Sequence, residues 1–463
     1  MWLPVPMIRP EYIPTRDDFR ELLKLASPIV FIQVGLIAMG VVDTIMVGHV
    51  SAVALAAVAL GNLYSFGLTI FGLGVLLALD PIIAQALGAE DDLAVQRGVQ
   101  RGLVLSLLLT LPISLLLLAV EPALTLLQQP PEVIPLASAY VVRILPALWP
   151  FLAFVVLRQA LQAQNRTAPI VVTILIANIV NAGLNYLWIF GHWGFPELGV
   201  LGSAWATLVS RWLMAALILA LGWNALSRYL RQLAPDLLAP RPMLRMLRVG
   251  VPIGAQMVLE FGAFATIALL MGWLGVIEVA AHQVAINLAS QTFMVAVGIS
   301  SAAAVIVGRA VGRGDAHGVH RASLAALGLG VVFMLITAMT FLSVPGVLVG
   351  IYTDHPEVVR LAVLLIPIAG VFQVFDGIQA ISLGLLRGLG DTRVPMLVSV
   401  FGFWCLGMPV SLLLAFRLDL GGVGLWWGLV VGLAAVALVL VARIRRREGQ
   451  DLARLVLDGQ VSD

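Results

Sequence analysis

Twelve long apolar segments divide into two sets of six, and the second set echoes the first. Pro28 opens the first segment and Pro252 the seventh. Gly88-Ala89-Glu90-Asp91 closes the second, as Gly312-Arg313-Gly314-Asp315 closes the eighth. Asn165 with Pro169 starts the fifth, and Asp391 with Pro395 the eleventh. Leu198-Gly199-Val200-Leu201-Gly202 runs on to Trp205, as Leu420-Gly421-Gly422-Val423-Gly424 runs on to Trp427. The offset between paired marks stays nearly constant along the chain. A chain so built is an integral membrane protein made from a duplicated unit. Parallel duplicated halves are common in secondary transporters, where one half rocks against the other.

Each segment is long enough for a spanning helix, which needs about 20 apolar residues. Helices are expected near 26–50, 57–87, 98–121, 135–161, 168–191, 198–222, 250–274, 279–310, 321–344, 357–386, 394–416 and 422–442. The chain is 61% hydrophobic and 11% charged, against roughly 25% charged in soluble domains, so no soluble class fits. Period-two alternation is missing, which argues against a barrel. The expected fold is therefore all-α, with twelve transmembrane helices in two parallel-repeat six-helix lobes. Residues 1–25 form a lead, 26–222 the N-lobe, 223–249 a linker rich in proline and arginine, 250–443 the C-lobe and 444–463 a tail. Pro146, Pro150, Pro367 and Pro409 are expected to interrupt their helices, because proline removes a backbone donor.

Net charge is only +2, but its distribution is informative. With both termini inside, 23 of the 27 Lys and Arg residues fall on inner segments. Arg360 and Arg417 lie near outer ends, and Arg143 and Arg211 within helices. The positive-inside rule thus predicts cytoplasmic termini. The arginines are scattered over short loops, which does not suit nucleic acid. The single cysteine, Cys405, excludes a disulfide framework or a thiolate metal site, and the six histidines are dispersed. No removable signal peptide is read at the N-terminus. The sequon Asn165-Arg166-Thr167 falls on an inner loop, out of reach of glycosylation.

Carboxylates are costly in hydrocarbon and are functional candidates by default. Asp43, Glu260, Asp376 and Asp80 lie within the first, seventh, tenth and second helices. The repeat places Ile267 opposite Asp43, Leu36 opposite Glu260 and an apolar residue near Val155 opposite Asp376. Acids that served only as structural glue would recur in both halves, and these do not. Asp80, followed by Pro81, also suits a capping role. Helix five carries Asn178, Asn181 and Asn185, the last two on one face at spacing four, and helix six carries Thr207. Together they offer carboxylate, amide and hydroxyl oxygens to an alkali cation or a proton-bearing water. Plain interhelical hydrogen bonding by the asparagines is the alternative.

These residues resemble the multidrug and toxic compound extrusion (MATE) family, in its NorM-type branch, over about residues 20–445. The resemblance rests on Val42-Asp43-Thr44 through Gly48, Ala84-Gln85-Ala86-Leu87-Gly88-Ala89, Asn181-x-x-x-Asn185-Tyr186 with Gly191, and Gly202-Ser203-Ala204-Trp205-Ala206-Thr207. In the second half it rests on Glu260 and the run from Gln373 and Asp376 to Leu386-Arg387-Gly388. It implies a monomeric exporter in the bacterial inner membrane. Such an exporter moves cationic amphipathic small molecules outward in exchange for Na+ or H+, with no cofactor and no catalysis. Asp43, Asn181, Asn185 and Thr207 would form an N-lobe cation or proton site. Glu260 and Asp376, with Gln373 nearby, would bind cation or substrate in the C-lobe. NorM-type proteins often carry tyrosine where this chain has Phe372, and that puts a C-lobe sodium site in question. Asp80-Pro81 also departs from the branch. Two alternatives remain: a flippase for lipid-linked sugars, which needs a basic cavity, and an intramembrane prenyltransferase, which needs a second acidic pair.

Overall fold

Hydrocarbon offers the backbone no hydrogen bonds, so spanning segments must satisfy their own. The computed structural model describes residues 12–450 and 452–458, and among these are twelve helices long and apolar enough to cross a bilayer. They are α1 (Arg16–Gly48), α2 (Ala52–Gly88), α3 (Asp92–Leu118), α4 (Ile134–Ala163), α5 (Ala168–Phe190) and α6 (Val200–Leu221). The second set is α7 (Pro240–Leu274), α8 (Val276–Arg313), α9 (Ala316–Ser343), α10 (Pro356–Gly388), α11 (Arg393–Arg417) and α12 (Gly421–Glu448). Lipid-facing stripes are visible on single helices. Leu107, Leu108, Leu111 and Leu115 on α3, and Val332, Leu335, Ile336 and Met339 on α9, are exposed at helical spacing.

Two compact units emerge. Of the described residues, one comprises 31–254 with 456–458, and the other 12–30 with 255–450 and 452–455. The boundaries after Val30 and Gly254 are themselves repeat-related, each falling just beyond an opening proline, Pro28 or Pro252. The expected boundaries at 26 and 250 differ from this division. Residues 223–249 are not a bare linker: they hold a short helix, Trp223–Leu230, and the start of α7. Gln100 Nε2 on α3 donates to the carbonyls of Tyr229 and Gln232 at 2.7 and 2.6 Å, while its Oε1 accepts from the Ala234 N–H at 2.9 Å. The expected lead 1–25 is helical from Arg16 onward, and its residues 1–11 lie outside the described ones, as do 451 and 459–463 of the tail.

The repeat reaches down to turn chemistry. Glu90 and Gly314 take left-handed φ values of 57° and 70°. The next residues, Asp91 and Asp315, donate their N–H groups back to Ala86 and Ala310. Their carboxylates then cap the following helices, accepting from Ala94 N–H at 2.9 Å and Gly318 N–H at 2.8 Å. The second inner turn corrects the sequence alignment by one position. Asn165 corresponds to Gly390, both left-handed, and Arg166 and Asp391 donate equivalently to Leu161 and Leu386. Asp391 also accepts from Arg443 Nε at 2.8 Å.

The first unit packs α5 along α6, α3 along α4, and α2 and α6 against α4. In the second, α10 is central, lying against α8, α9 and α12. Prolines act unequally. Leu145–Ala147, around Pro146, tightens to a 3₁₀ turn, and α2 breaks at Leu77–Ala78 ahead of Pro81. There the Leu77 carbonyl, denied a donor by Pro81, accepts from Asp80 N–H at 3.2 Å. Pro367, expected to interrupt α10, lies inside a continuous helix. Two π-helical stretches, Phe401–Gly407 and Leu413–Arg417, flank Pro409 in α11.

At α5–α6 the backbones meet so closely that a Cβ on Gly202 would strike the Trp188 carbonyl. Gly424 meets Leu414 and Ala415 backbone in the same way at α11–α12. Gly202→Val should cost about 2 kcal/mol and lower both the thermal midpoint and the monodisperse yield in detergent. Gly183→Ala, in open space on the same α5, should shift stability by less than about 0.5 kcal/mol. Equal behaviour of the two variants would refute this packing.

Candidate functional site

Asp43 lies on α1, about one turn from its end at Gly48, and is 3% exposed. Asn185 Nδ2 on α5 donates to Asp43 Oδ1 at 2.5 Å, and Thr207 Oγ1 on α6 donates to Asp43 Oδ2 at 2.8 Å. Asn181, one turn before Asn185, accepts from the same Asn185 amide at 3.3 Å. The spacing of four puts both asparagines on the face of α5 that meets Asp43. Both are fully buried. Asn185 Oδ1 is buried without a partner among the described residues, as is Asn181 Nδ2. The cluster thus presents a carboxylate with two neutral donors, plus one spare buried oxygen. Spare carbonyl-type oxygens beside a carboxylate can replace the water shell of a small cation.

Asn178 has a different position. Its amide donates to Gly35 O on α1 at 3.0 Å and to Ile174 O at 2.8 Å, tying α1 to α5. Asp80 is buried in the first turn of the second part of α2. It is not among the hydrogen-bond donors or acceptors of Asp43.

Sequence reasoning passed over two neighbours of Asp43 as site residues. Tyr140 on α4 is 1% exposed and donates its hydroxyl to Asn62 Oδ1 on α2 at 3.0 Å. Arg211 on α6 places its Cζ 4.7 Å from the ring centroid of Phe151. Asp43, Tyr140 and Arg211 are within electrostatic reach of one another. The signal for Arg211 was available, because it sits one turn from Thr207. Tyr140 offered none, since no spacing links α4 to α1.

In the second unit Glu260 on α7 accepts from Gln379 Nε2 on α10 at 3.4 Å, and Gln256 also reaches it. Asp376, 6% exposed on α10, feels the Glu260 charge. Two carboxylates so placed repel unless a proton or a cation is held between them. Gln373 pairs with Thr292 on α8 and so leaves its Nε2 unpartnered. Phe372 is 1% exposed, and its ring lies edge-on to Phe264 and Trp426 at centroid distances of 6.0 and 5.6 Å. At this position the chain thus packs an aromatic cluster. Trp404 Nε1 donates to Leu259 O at 3.0 Å and steadies the turn of α7 that carries Glu260. Among the described residues no group of three or more His, Cys, Asp or Glu could hold a metal ion.

Comparison with known proteins agrees with this architecture. The MatE family model matches residues 28–187 and again 252–413, the two matches starting at the paired prolines Pro28 and Pro252. The chain is 39% identical over 440 residues to the probable multidrug resistance protein NorM of Rhizobium meliloti (strain 1021), covering 92% of this chain and 93% of that one. It is 38% identical over 444 residues to the multidrug resistance protein NorM of Burkholderia vietnamiensis, covering 94% and 95%. In fold it is similar to the eukaryotic MATE transporter AtDTX14, with TM-score 0.85 at 23% identity over 93% of this chain and 97% of that one. It is also similar in fold to a MOP superfamily transporter from Pyrococcus furiosus whose binding pocket is described as reversed in polarity, with TM-score 0.84 at 20% identity over 93% and 96%.

Proposed function

The chain belongs to the MATE family, in its NorM-type branch, and from that premise we propose that it exports organic cations in exchange for protons or sodium ions. It is a multi-pass membrane protein and a multidrug efflux transporter, not an enzyme. The prenyltransferase alternative falls with that, and the multidrug relatives set the flippase aside. The observation that carries the proposal is Asp43, buried in a spanning helix with its two oxygens held only by neutral donors.

The mechanism follows from charge. A carboxylate in low dielectric binds any cation that reaches it far more strongly than it would in water. Asp43 with Asn185, Asn181 and Thr207 takes the coupling ion, which is itself a transported species. Glu260 and Asp376, with Gln379 and Gln256 as donors, offer a second negative centre. The half-buried ring of Phe264, packed on Phe372, stands in the same unit. Organic cations pair with acids and with aromatic faces. A proton or sodium ion that neutralises the same acids weakens their hold on drug. Competition of this kind, with alternating access, couples inward ion flow to outward drug flow. The distribution of arginine supports cytoplasmic termini in a bacterial inner membrane, and the family likeness supports a monomer.

Ethidium movement in proteoliposomes under a sodium gradient or a proton gradient, each imposed alone, tests the proposal. Movement driven by either ion is expected, and none under either would overturn it. Asp43→Asn should abolish coupled efflux, because it keeps the shape of the side chain and removes the charge. Glu260→Gln and Asp376→Asn should each lower it at least about tenfold, the effect of losing about 1.4 kcal/mol of interaction. Wild-type rates in the last two would remove the second centre from the mechanism.

A further inference from the structure

Arg211 is a charge that the coupling site leaves unexplained. It stands midway along α6, with about half the helix on either side. A guanidinium at such depth is costly, and residues of this kind serve a pathway or a partner. Among the described residues its guanidinium makes no hydrogen bond or ion pair, and its recorded close contact is the face of Phe151. Thr207, whose hydroxyl holds Asp43 Oδ2, lies four residues earlier, so both side chains leave one face of α6. The charged or ionisable groups in this cluster are Asp43, Arg211 and Tyr140, and the Tyr140 hydroxyl is committed to Asn62.

We propose that Arg211 is the resident counter-charge of Asp43, a tethered cation that competes with the coupling ion for the field of the carboxylate. The proposal rests on the reading of Asp43 as the coupling site. Both Asp43 oxygens are filled by Asn185 and Thr207, and the guanidinium is parked on Phe151, so its charge acts without a direct ion pair. This arrangement has two consequences. An emptied carboxylate is tolerated in the bilayer, because a positive charge stays close by. A bound cation is repelled by the same charge, so it leaves readily. Without Arg211 the site would hold its ion more tightly and release it more slowly.

Ethidium efflux from proteoliposomes, measured across a series of sodium concentrations and separately across a pH series, gives the half-saturating level of whichever ion drives transport. Arg211→Gln should lower that level about tenfold, the size expected from removing one nearby charge at intermediate dielectric. Arg211→Lys keeps the charge and should stay near wild type. An unchanged level in Arg211→Gln, with Asp43→Asn uncoupled, would overturn this proposal alone. A lysine variant that shifts as glutamine does would also overturn it, since the role would then be packing. Wild-type coupling in Asp43→Asn would remove the coupling-site reading and this proposal together.

Discussion

Hydrogen bonding in a solvent that provides none governs this molecule. Every backbone N–H and C=O within the bilayer must find a partner in the protein, which makes each spanning segment a helix. Departures are confined to places where another group supplies the bond. The Leu77 carbonyl, freed by Pro81, accepts from Asp80 N–H. Inner turns close through left-handed residues, and Asp91 and Asp315 then cap the next helix. Two side chains follow the same rule: Asn178 spends its amide on two carbonyls, and Asp43 has a donor for each oxygen.

Duplication provides the scaffold, and its breakdown provides the chemistry. Turns, caps and close glycine crossings recur at a nearly constant offset, as Glu90 with Gly314, Asn165 with Gly390 and Gly202 with Gly424. The acids do not recur. Ile267, opposite Asp43, is a fully buried core residue of the second unit. The first unit gathers one acid, two asparagines, a threonine and an arginine. The second gathers two acids, glutamines and an aromatic cluster. Two like frames thus carry unlike sets of polar side chains.

The sequence carried much of the site because its parts obey local rules. Spacing of four placed Asn181 and Asn185 on one face, and burial of charge in an apolar run marked Asp43, Glu260 and Asp376. The same spacing rule extended to Asn178 as a candidate, yet its amide turned to Gly35 O. Its rotamer answers to a helix neighbour that no intrahelical spacing describes. Tyr140, Asn62 and Gln256 went unnoticed for the same reason, since each is defined by a contact across helices. Pro367 is expected to break α10, but the helix runs through it.

Sequence by itself determined the number of spans, the duplication, the uneven distribution of the arginines and which acids lie within spans. Those follow from hydropathy, periodicity and the cost of charge in lipid, which are properties of single segments. Tertiary structure alone decided that Asn185 and Thr207, rather than Asn178, hold Asp43, and that Phe372 is packed edge-on in an aromatic cluster. It also decided that Arg211 rests on Phe151 within reach of the carboxylate. Such pairings depend on which helix faces meet and at what height, and helix contact is set by the packing of whole surfaces rather than by any one stretch of chain.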